Sequence, residues 1–220
     1  NAYTITVATA DVTAAALKAV NDATTVAVTA TAVTAITGSA SDLDSIYTSG
    51  VSGLGNETVT VSNADVTAAH LNTINAGTSV NVVATAVTNI TGSKTELATT
   101  YGGGMTGLGN ETITVSDANI TSAEANTIDG YTSGVVTATI STTDITALDD
   151  LTGTGNAYTI TVATADVTAA ALNTVNAATT VNVTATAVTT ITGSSSQLTT
   201  TYGGGTVSYT HLRAHETRIH

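Results

Sequence analysis

The chain repeats itself, and this repetition constrains its fold more than any other feature of the sequence. The phrase NAYTITVATADVTAAAL begins at Asn1 and returns unchanged at Asn156, and related phrases begin at Asn56 and Asn110. Copies of one short unit predict a chain in which each unit packs mainly against its neighbours. The boundaries of the copies give four repeats, the third of them shortened: residues 1–55, 56–109, 110–155 and 156–206.

The first half of a copy predicts a strand followed by a short helix. Residues 3–7 alternate, with Ile5 and Val7 on one face and Thr4 and Thr6 on the other, which is typical of a half-buried strand. Apolar residues then recur at three-residue steps, at Ala14, Leu17 and Val20, which indicates a helix with a narrow apolar stripe. Thr13 is the predicted N-cap of this helix.

The second half of a copy predicts a further strand and helix. The strand contains Val26 and Val28, and the helix that follows is announced in two copies by capping boxes. The capping residues are Ser93 with Glu96 and Ser194 with Gln197. We expect these helices to end at Tyr101 and Tyr202, because runs of glycine follow and favour a left-handed stop.

Strand, helix and strand joined by short connections predict parallel neighbouring strands. Strand starts recur about every 22 residues, or about 32 where a longer loop intervenes, which is within the range of β/α solenoids. We therefore predict an α/β solenoid with one parallel sheet, similar in shape to leucine-rich repeats. A right-handed parallel β-helix is the alternative, because the predicted helices are short and rich in threonine.

Composition limits the partners and the chemistry of the chain. Threonine makes up roughly a quarter of the residues, and Cys, Pro, Trp and Phe are absent. The net charge is −12, from 4 Lys+Arg and 16 Asp+Glu. So few cations cannot neutralise phosphates, and we therefore expect no nucleic-acid binding. No run of residues is long and apolar enough to span a bilayer, so we expect no membrane insertion. Without cysteine there is no disulfide framework and no thiolate metal site.

The C-terminal residues 207–220 differ from the rest of the sequence. They contain three of the 4 histidines and both arginines. The string VSYTHLRAHET, from Val207 to Thr217, resembles the translation of a transposon-type sequencing adapter in one reading frame. We therefore predict a non-native tail, and we assign His211 and His215, which have the spacing of a zinc half-site, to it.

Most of residues 1–206 resembles a known class of repeats. The phrases AALNTVNAATT, EANTIDGYTSGVVTATIS and LTGTGNAYTITV are similar to repeats in giant cell-surface proteins of marine bacteria, cyanobacteria included. The resemblance implies a secreted or surface-displayed protein with a role in adhesion, surface layers or motility. Some members carry calcium-binding nonapeptides of the form GGxGxDxUx, which this sequence lacks.

A regular Thr-x-Thr pattern is the most prominent candidate binding feature. Stacked strands would arrange the outward threonines as a grid of methyls and hydroxyls with a spacing of about 4.8 Å. Such a grid resembles the surfaces of solenoid ice-binding proteins, although threonine also suits the wet face of any strand. We call the predicted set the threonine face: Thr4, Thr6, Thr58, Thr60, Thr112, Thr114, Thr159 and Thr161.

Acidic residues form a second candidate site, for calcium. Asp144, Asp149 and Asp150 lie close together in the shortened repeat, and calcium takes several oxygen ligands. Asp is also common in turns and helix caps, and that alternative stays open. A further series recurs after the first strand of each copy: Asp11, Asp65, Asp117 and Asp166.

The sequence offers little for catalysis. His70 is the only histidine before the tail, and Ala16, Glu124 and Ala171 occupy its position in other copies. A general base would not alternate with alanine, so we predict no enzyme activity and no cofactor except calcium. The predicted function is a structural or adhesive repeat segment of a very large extracellular or cell-surface protein. Its expected partners are neighbouring repeats, and cell-surface polymers or ice.

Overall fold

The fold of the chain alternates strands and helices, in agreement with the predicted α/β class. A computed structural model describes residues 4–203 and 207–208. Every strand pairing that it describes is parallel. The chain divides into two compact units, Asn1–Ser116 with Tyr131–Gly134, and Asp117–Gly130 with Val135–His220. None of the helices in the described ranges is long and apolar enough to cross a membrane.

The described part of the first unit contains eight strands and four helices. The helices are α1 (Ala14–Asp22), α2 (Ala40–Thr48), α3 (Ala68–Gly77) and α4 (Lys94–Gly102). The strands are β1 (Ile5–Thr6), β2 (Asp11–Thr13), β3 (Val28–Thr29), β4 (Ala35–Gly38), β5 (Thr58–Val61), β6 (Asp65–Thr67), β7 (Asn89–Gly92) and β8 (Thr112–Val115).

Strands of the first unit pair with the segment that occupies the same place in the next strand–helix unit of the chain. We call one such unit a coil. In the ladder β2–β4–β5, Val12 lies beside Ile36, and Ile36 lies beside Val59. The ladder β6–β7–β8 repeats this register with Val66, Ile90 and Ile113. β1 and β3 form a third ladder. The strands thus form several short parallel sheets, whereas the sequence predicted one.

Two helices of the first unit, α1 and α4, begin where the sequence predicted. Thr13 accepts a hydrogen bond from Ala16 N at 3.2 Å and caps α1. Ser93 and Glu96 form the predicted capping box of α4. The C-terminal end of α4 differs from the prediction, because Gly103 is right-handed with a φ of −80° and the positive φ comes only at Gly104.

Consecutive helices pack against each other in the first unit, and the interior between helices and strands is aliphatic. The predicted stripe residues Ala14 and Leu17 are buried, and Ile74 is buried where α1 has the half-buried Val20. The predicted alternation along the strands is also confirmed, since Val59 and Val61 are buried and Thr58 is exposed. An aliphatic interior of this kind suits a chain without Phe or Trp, because small core layers stacked along the chain replace one thick core.

The segment after α2, predicted as a long loop, contributes an additional parallel contact. Ser52 bridges to Thr29, with Ala30 N donating to Ser52 O at 2.7 Å. β5 then pairs with β4 on one side and bridges through Thr60 to Val83 on the other. The chain therefore returns to its neighbour at a nearly constant interval here, and the longer interval predicted for this loop does not interrupt the stacking.

The second unit repeats this plan with a shortened coil. Its described elements are α5 (Ser122–Asp129), β9 (Val136–Thr139), α6 (Ile145–Leu148), β10 (Ala157–Thr159), β11 (Asp166–Thr168), α7 (Ala169–Ala178), β12 (Val183–Thr184), β13 (Thr190–Thr192), α8 (Ser195–Gly203) and β14 (Val207–Ser208). Ala138 of β9 pairs with Tyr158 of β10 across a shorter stretch of chain than the one that separates the paired Val167 and Ile191. α6, a single turn, accounts for the shorter coil.

The strand β14 falls within the predicted non-native tail, and it pairs with β12. The remainder of the tail, including His211 and His215, lies outside the described residues. The predicted capping box at the start of α8 is confirmed. Ser194 N donates to Gln197 Oε1 at 3.0 Å, and Gln197 N donates to Ser194 Oγ at 3.3 Å.

Candidate functional surface

The eight residues of the threonine face all lie on or beside strands. Thr60 is half-buried and the other seven are exposed, because the alternation of each strand turns its aliphatic residues into the core. Among the described pairings, no two of the eight lie opposite each other across a ladder within a unit. The reason is that strands stack one coil apart, whereas the predicted set takes equivalent positions from successive copies.

The threonines that do stack come from both halves of a copy. Thr13, Thr37 and Thr60 lie side by side in one ladder of the first unit. A second row in that unit consists of Thr67, Thr91 and Thr114. In the second unit, Thr139 pairs with Thr159, Thr161 with Thr184, and Thr168 with Thr192. We call the two triplets of the first unit the stacked threonine rows.

The stacked threonine rows are not wholly available for binding. The hydroxyls of Thr13 and Thr67 already accept hydrogen bonds from Ala16 N and His70 N as helix N-caps. A parallel row two residues earlier consists of Asp65, Asn89 and Thr112. Its side chains are linked, since Asn89 Nδ2 donates to Asp65 Oδ1 at 2.5 Å and Thr112 donates to Asn89 Oδ1. The side chains of this second row are therefore hydrogen-bonded to one another.

The three aspartates that were predicted as a calcium site are exposed and lie at the ends of α6. Asp144 caps α6, accepting hydrogen bonds from Thr146 N at 2.9 Å and from the Thr146 hydroxyl. These hydrogen bonds lower the pKa of Asp144. Asp149 is the C-cap of the same helix, and the main-chain oxygen of Asp150 accepts from Asn126 Nδ2 at 2.8 Å. Within residues 4–203, no three His, Asp or Glu side chains converge as metal ligands would.

The other predicted acidic series lies on or beside strands. Asp11, Asp65 and Asp166 are exposed at strand starts, and Asp117 is half-buried after β8. In the first unit, Asp65 and the half-buried His70 border a surface depression of about 310 Å³. Its lining also includes Asn63, whose Oδ1 accepts from Ala40 N at 2.8 Å.

Two glutamates that the sequence did not indicate as buried, Glu57 and Glu111, lie in the interior of the first unit. Glu57 is 1% exposed and accepts three hydrogen bonds. Gly55 N and Asn56 N donate to Oε2 at 2.7 and 3.0 Å, and the Tyr47 hydroxyl donates to Oε1. All three donors are neutral, so the carboxylate is held by hydrogen bonds alone.

The second glutamate repeats this arrangement one copy later. Glu111 is 1% exposed and accepts from Gly109 N at 2.8 Å, from Asn110 N at 3.1 Å and from the Tyr101 hydroxyl. We call these two clusters the Tyr–Glu pairs. Burial raises the pKa of both phenols far above the usual value, and the hydrogen-bonded carboxylate raises it further.

A signal for the Tyr–Glu pairs was present in the sequence. Tyr47 precedes Glu57, and Tyr101 precedes Glu111, by the same ten residues. The copy that begins at Asn156 follows a shortened repeat with no tyrosine in that position, and it has Ala157 in place of the glutamate. At the three junctions before Asn56, Asn110 and Asn156, the tyrosine and the glutamate are thus present together or absent together.

The two tyrosines of these pairs pack on different surfaces. Tyr47 lies against Gly77, where an added Cβ would come within 2.4 Å of the ring. Tyr101 stacks on Tyr131, with ring centroids 4.8 Å apart and an interplanar angle of 12°. Both tyrosines lie near the C-terminal ends of their helices, α2 and α4. Tyr202, the third tyrosine of this series, is 57% exposed.

The second unit contains a buried tyrosine instead of a Tyr–Glu pair. Tyr158 is 1% exposed, and among the described residues its hydroxyl has no hydrogen-bond partner. Burial raises the pKa of Tyr158, and the negative charge of Asp129 raises it further. Asp129 itself accepts from Asn156 Nδ2 at 2.6 Å.

Asparagines form a further set of contacts that join neighbouring coils. Asn72 Nδ2 on α3 donates to Glu96 O on α4 at 3.0 Å, and Asn72 Oδ1 accepts from Thr100 at 2.8 Å. In the second unit, Asn173 makes the same two contacts with Gln197 and Thr201. These amides satisfy backbone and side-chain groups between helices, which favours one fixed register.

Each unit thus combines a buried aliphatic interior with polar side chains that form hydrogen bonds between neighbouring helices. The carboxylates of the chain include one that caps a helix and two that are buried against tyrosines. Comparisons of the chain with protein-family models, with curated proteins and with solved structures found no match.

Proposed function

We propose that the chain is an α/β solenoid that serves as a structural or adhesive repeat segment of a very large secreted or cell-surface protein. The observation that supports this proposal most is the stacking at a fixed register. β2, β4 and β5 succeed one another at nearly equal intervals along the chain, and β6, β7 and β8 do the same. A chain that covers each coil with the next can be lengthened by adding copies.

The contacts between coils support a load-bearing role. Each coil of the first unit contributes backbone hydrogen bonds to its neighbours, as where Thr58 N donates to Thr34 O at 2.9 Å. The helices add side-chain bridges such as that of Asn72. These hydrogen bonds act together along the stack, so separating two coils requires breaking several at once.

The resemblance to repeats of giant bacterial surface proteins and the acidic composition supply the cellular part of the proposal. A net charge of −12 opposes binding to nucleic acids and anionic membranes. Neighbouring repeats and cell-surface polymers are the proposed partners, and the extracellular space or the cell surface is the proposed location. The proposal includes no catalytic activity.

Small-angle X-ray scattering on proteins with one, two and three added copies of residues 56–109 tests the solenoid. We expect the maximum dimension to increase by the same increment with each copy, because each copy adds coils at one end. Growth of the radius of gyration with a power of chain length near 0.38, as in compact domains, would contradict the proposal. Binding of the same proteins to purified cell-surface polysaccharides, compared with their binding to DNA, tests the partners.

A second candidate function is ice binding, favoured by the stacked threonine rows. Thr37 and Thr91 are exposed at the middle of these rows, and neighbouring strands place them at about 4.8 Å from the next threonine. A thermal-hysteresis assay on residues 1–206 tests it, with Thr37→Lys and Thr91→Lys as variants that interrupt the rows. Absence of ice shaping at high protein concentration would exclude this function.

Calcium binding through the exposed aspartates is the remaining alternative. Ligand binding to the native state must raise the unfolding midpoint. A melting curve with calcium, compared with one in chelator and with an Asp144→Asn, Asp149→Asn, Asp150→Asn variant, tests it. An unchanged midpoint in the parent protein would exclude a stabilising calcium site.

A further inference from the structure

The stacked tyrosines of the first unit differ from the other described tyrosines in having two features together. The rings of Tyr101 and Tyr131 lie nearly parallel, with centroids 4.8 Å apart. The Tyr101 hydroxyl also donates a hydrogen bond to the buried carboxylate of Glu111. Both rings are half-buried, so their edges remain accessible to solvent.

These two features lower the barrier to one-electron oxidation. A phenol loses its proton when it loses an electron, and Glu111 Oε1 already accepts the Tyr101 hydroxyl proton. Glu111 keeps two backbone donors, Gly109 N and Asn110 N, so the carboxyl group stays in place during the transfer. The face of the stacked Tyr131 ring stabilises the positive charge that develops on Tyr101 as its electron leaves.

We infer that Tyr101 and Tyr131 form an oxidative modification site, at which a one-electron oxidant joins the two rings in an intramolecular dityrosine bond. Each phenol gives up one electron to the oxidant and one proton, that of Tyr101 to Glu111 and that of Tyr131 to solvent. The two phenoxyl radicals couple through their ortho carbons. The ortho hydrogens then move to the phenol oxygens through solvent, and Glu111 releases the proton it accepted to solvent. The net loss is therefore two electrons and two protons.

Proximity makes the intramolecular product the favoured one. Rings held at 4.8 Å have a far higher effective concentration than rings on separate chains. The bond would close the chain between residues 101 and 131 and so restrict the unfolded state. The site therefore provides a covalent connection between neighbouring coils in a chain that has no cysteine.

The chain contains its own control for this inference. Tyr47 makes the same hydrogen bond to Glu57, but its ring faces Gly77 where Tyr101 faces Tyr131. If the carboxylate alone determined the chemistry, Tyr47 would be modified as readily as Tyr101. If cross-linking is confined to Tyr101 and Tyr131, the stacked second ring is needed in addition to the carboxylate.

Illumination of the dilute full chain with tris(bipyridyl)ruthenium and persulfate tests the inference. We expect a monomeric product with dityrosine fluorescence, an intact mass lower by two hydrogen atoms, and a peptide that links Tyr101 to Tyr131. Tyr131→Phe, which keeps the stacked ring, should reduce the intramolecular dityrosine yield at least tenfold. Tyr47→Phe should leave this yield unchanged.

Glu111→Gln separates the role of the proton acceptor from that of proximity. Glu111→Gln should reduce the rate of cross-linking severalfold while its circular dichroism spectrum stays native. If Glu111→Gln does not fold, Tyr131→Phe still tests whether the two stacked rings form the bond. Dityrosine that persists in Tyr131→Phe would overturn the inference. Cross-links found only between separate chains, or only at other tyrosines, would overturn it as well.

Discussion

Burial of the Glu57 carboxylate is unfavourable in itself, but its hydrogen bonds connect two elements of the first unit. A buried carboxylate without a cation is tolerated only when its oxygens accept strong hydrogen bonds. Glu57 receives two from the turn at Gly55 and Asn56 and one from Tyr47, which lies at the end of the preceding helix. The glutamate therefore fixes the position of a turn and a helix end at once.

Removing one donor from this cluster should be costly. Tyr47→Phe leaves the buried Glu57 with one hydrogen bond fewer, and we expect the free energy of unfolding to fall by about 1–3 kcal/mol. The measurement is urea denaturation of the variant and the parent. Tyr158→Phe is the matched control, because it removes a buried hydroxyl that has no partner among the described residues. It should be neutral within about 0.5 kcal/mol or stabilising, and equal losses for both variants would contradict this prediction.

Alkaline pH should destabilise the protein through the same tyrosines. The folded state raises the pKa of Tyr47, Tyr101 and Tyr158, so it favours their protonated forms. Their contribution is complete below the unfolded value of about 10 and is lost as pH rises above it. We expect the unfolding midpoint to decline above this pH, and less steeply in a Tyr47→Phe, Tyr101→Phe variant. Identical declines in the variant and the parent would contradict this prediction.

The sequence predicted the surface residues better than the buried polar ones. Threonines at alternate strand positions were expected to face outward, and Thr58 and Thr112 do so. The grid could not be derived, because which threonines become neighbours depends on the register between strands. Glu57 was missed because a glutamate next to a turn is normally solvated, and its burial depends on a tyrosine supplied by another element.

At the scale of elements, capping residues located helix starts well, while the short strands escaped prediction. β2 has only three residues and immediately precedes α1, so its alternation is too brief to recognise. The strand prediction for residues 26–28 is confirmed only in part, by β3 at Val28–Thr29. Such strands exist because neighbouring coils pair with them, which is a tertiary effect.

The end of a strand comes close to the start of a helix at two glycines, Gly38 and Gly92. A Cβ added to Gly92, at the end of β7, would lie 2.5 Å from the Cβ of Ala68, at the start of α3. Gly38 stands in the same relation to Ala14, again at 2.5 Å. The phrase ITGS thus contains glycine because the strand end and the helix start leave no room for a side chain.

Gly92→Ala should therefore separate these two elements. We expect a loss of about 1–3 kcal/mol in the free energy of unfolding, the usual cost of overpacking. The double variant Gly92→Ala, Ala68→Gly should recover part of it, which a double-mutant cycle measures as a coupling between the two sites. Gly102→Ala is the control, because nothing lies within 4 Å of its added Cβ. A cost of Gly92→Ala that Ala68→Gly does not relieve would contradict the steric explanation.

At the scale of the whole molecule, the α/β class and the parallel pairing followed from the sequence, and the spacing of coils did so only approximately. β5 and β8 are equivalent strands, with Val59 stacked on Ile36 and Ile113 stacked on Ile90. If stacking depends on register alone, one equivalent strand can replace the other. The solenoid proposal then requires that the chain still folds after a complete repeat has been removed.

Deletion of residues 58–111 tests this requirement. It joins Glu57 to Thr112 and so restores the string GLGNET at the junction. We expect Ile113 to take the place of Val59 beside Ile36, and the shortened protein to unfold cooperatively. Its urea m-value should fall in proportion to the surface lost with one repeat.

Deletion of residues 58–100 is the control for this experiment. It removes most of a repeat but joins Glu57 to Tyr101. The end of α4 and its glycine turn then occupy the position of β5. The out-of-register protein cannot cover the aliphatic row that contains Ile36 and should lose its cooperative transition. Circular dichroism and urea denaturation of both variants distinguish these outcomes. If the two deletions had the same effect on the cooperative transition, the coils would not be interchangeable units. The solenoid proposal would then be wrong, and so would the idea that added repeats lengthen the chain.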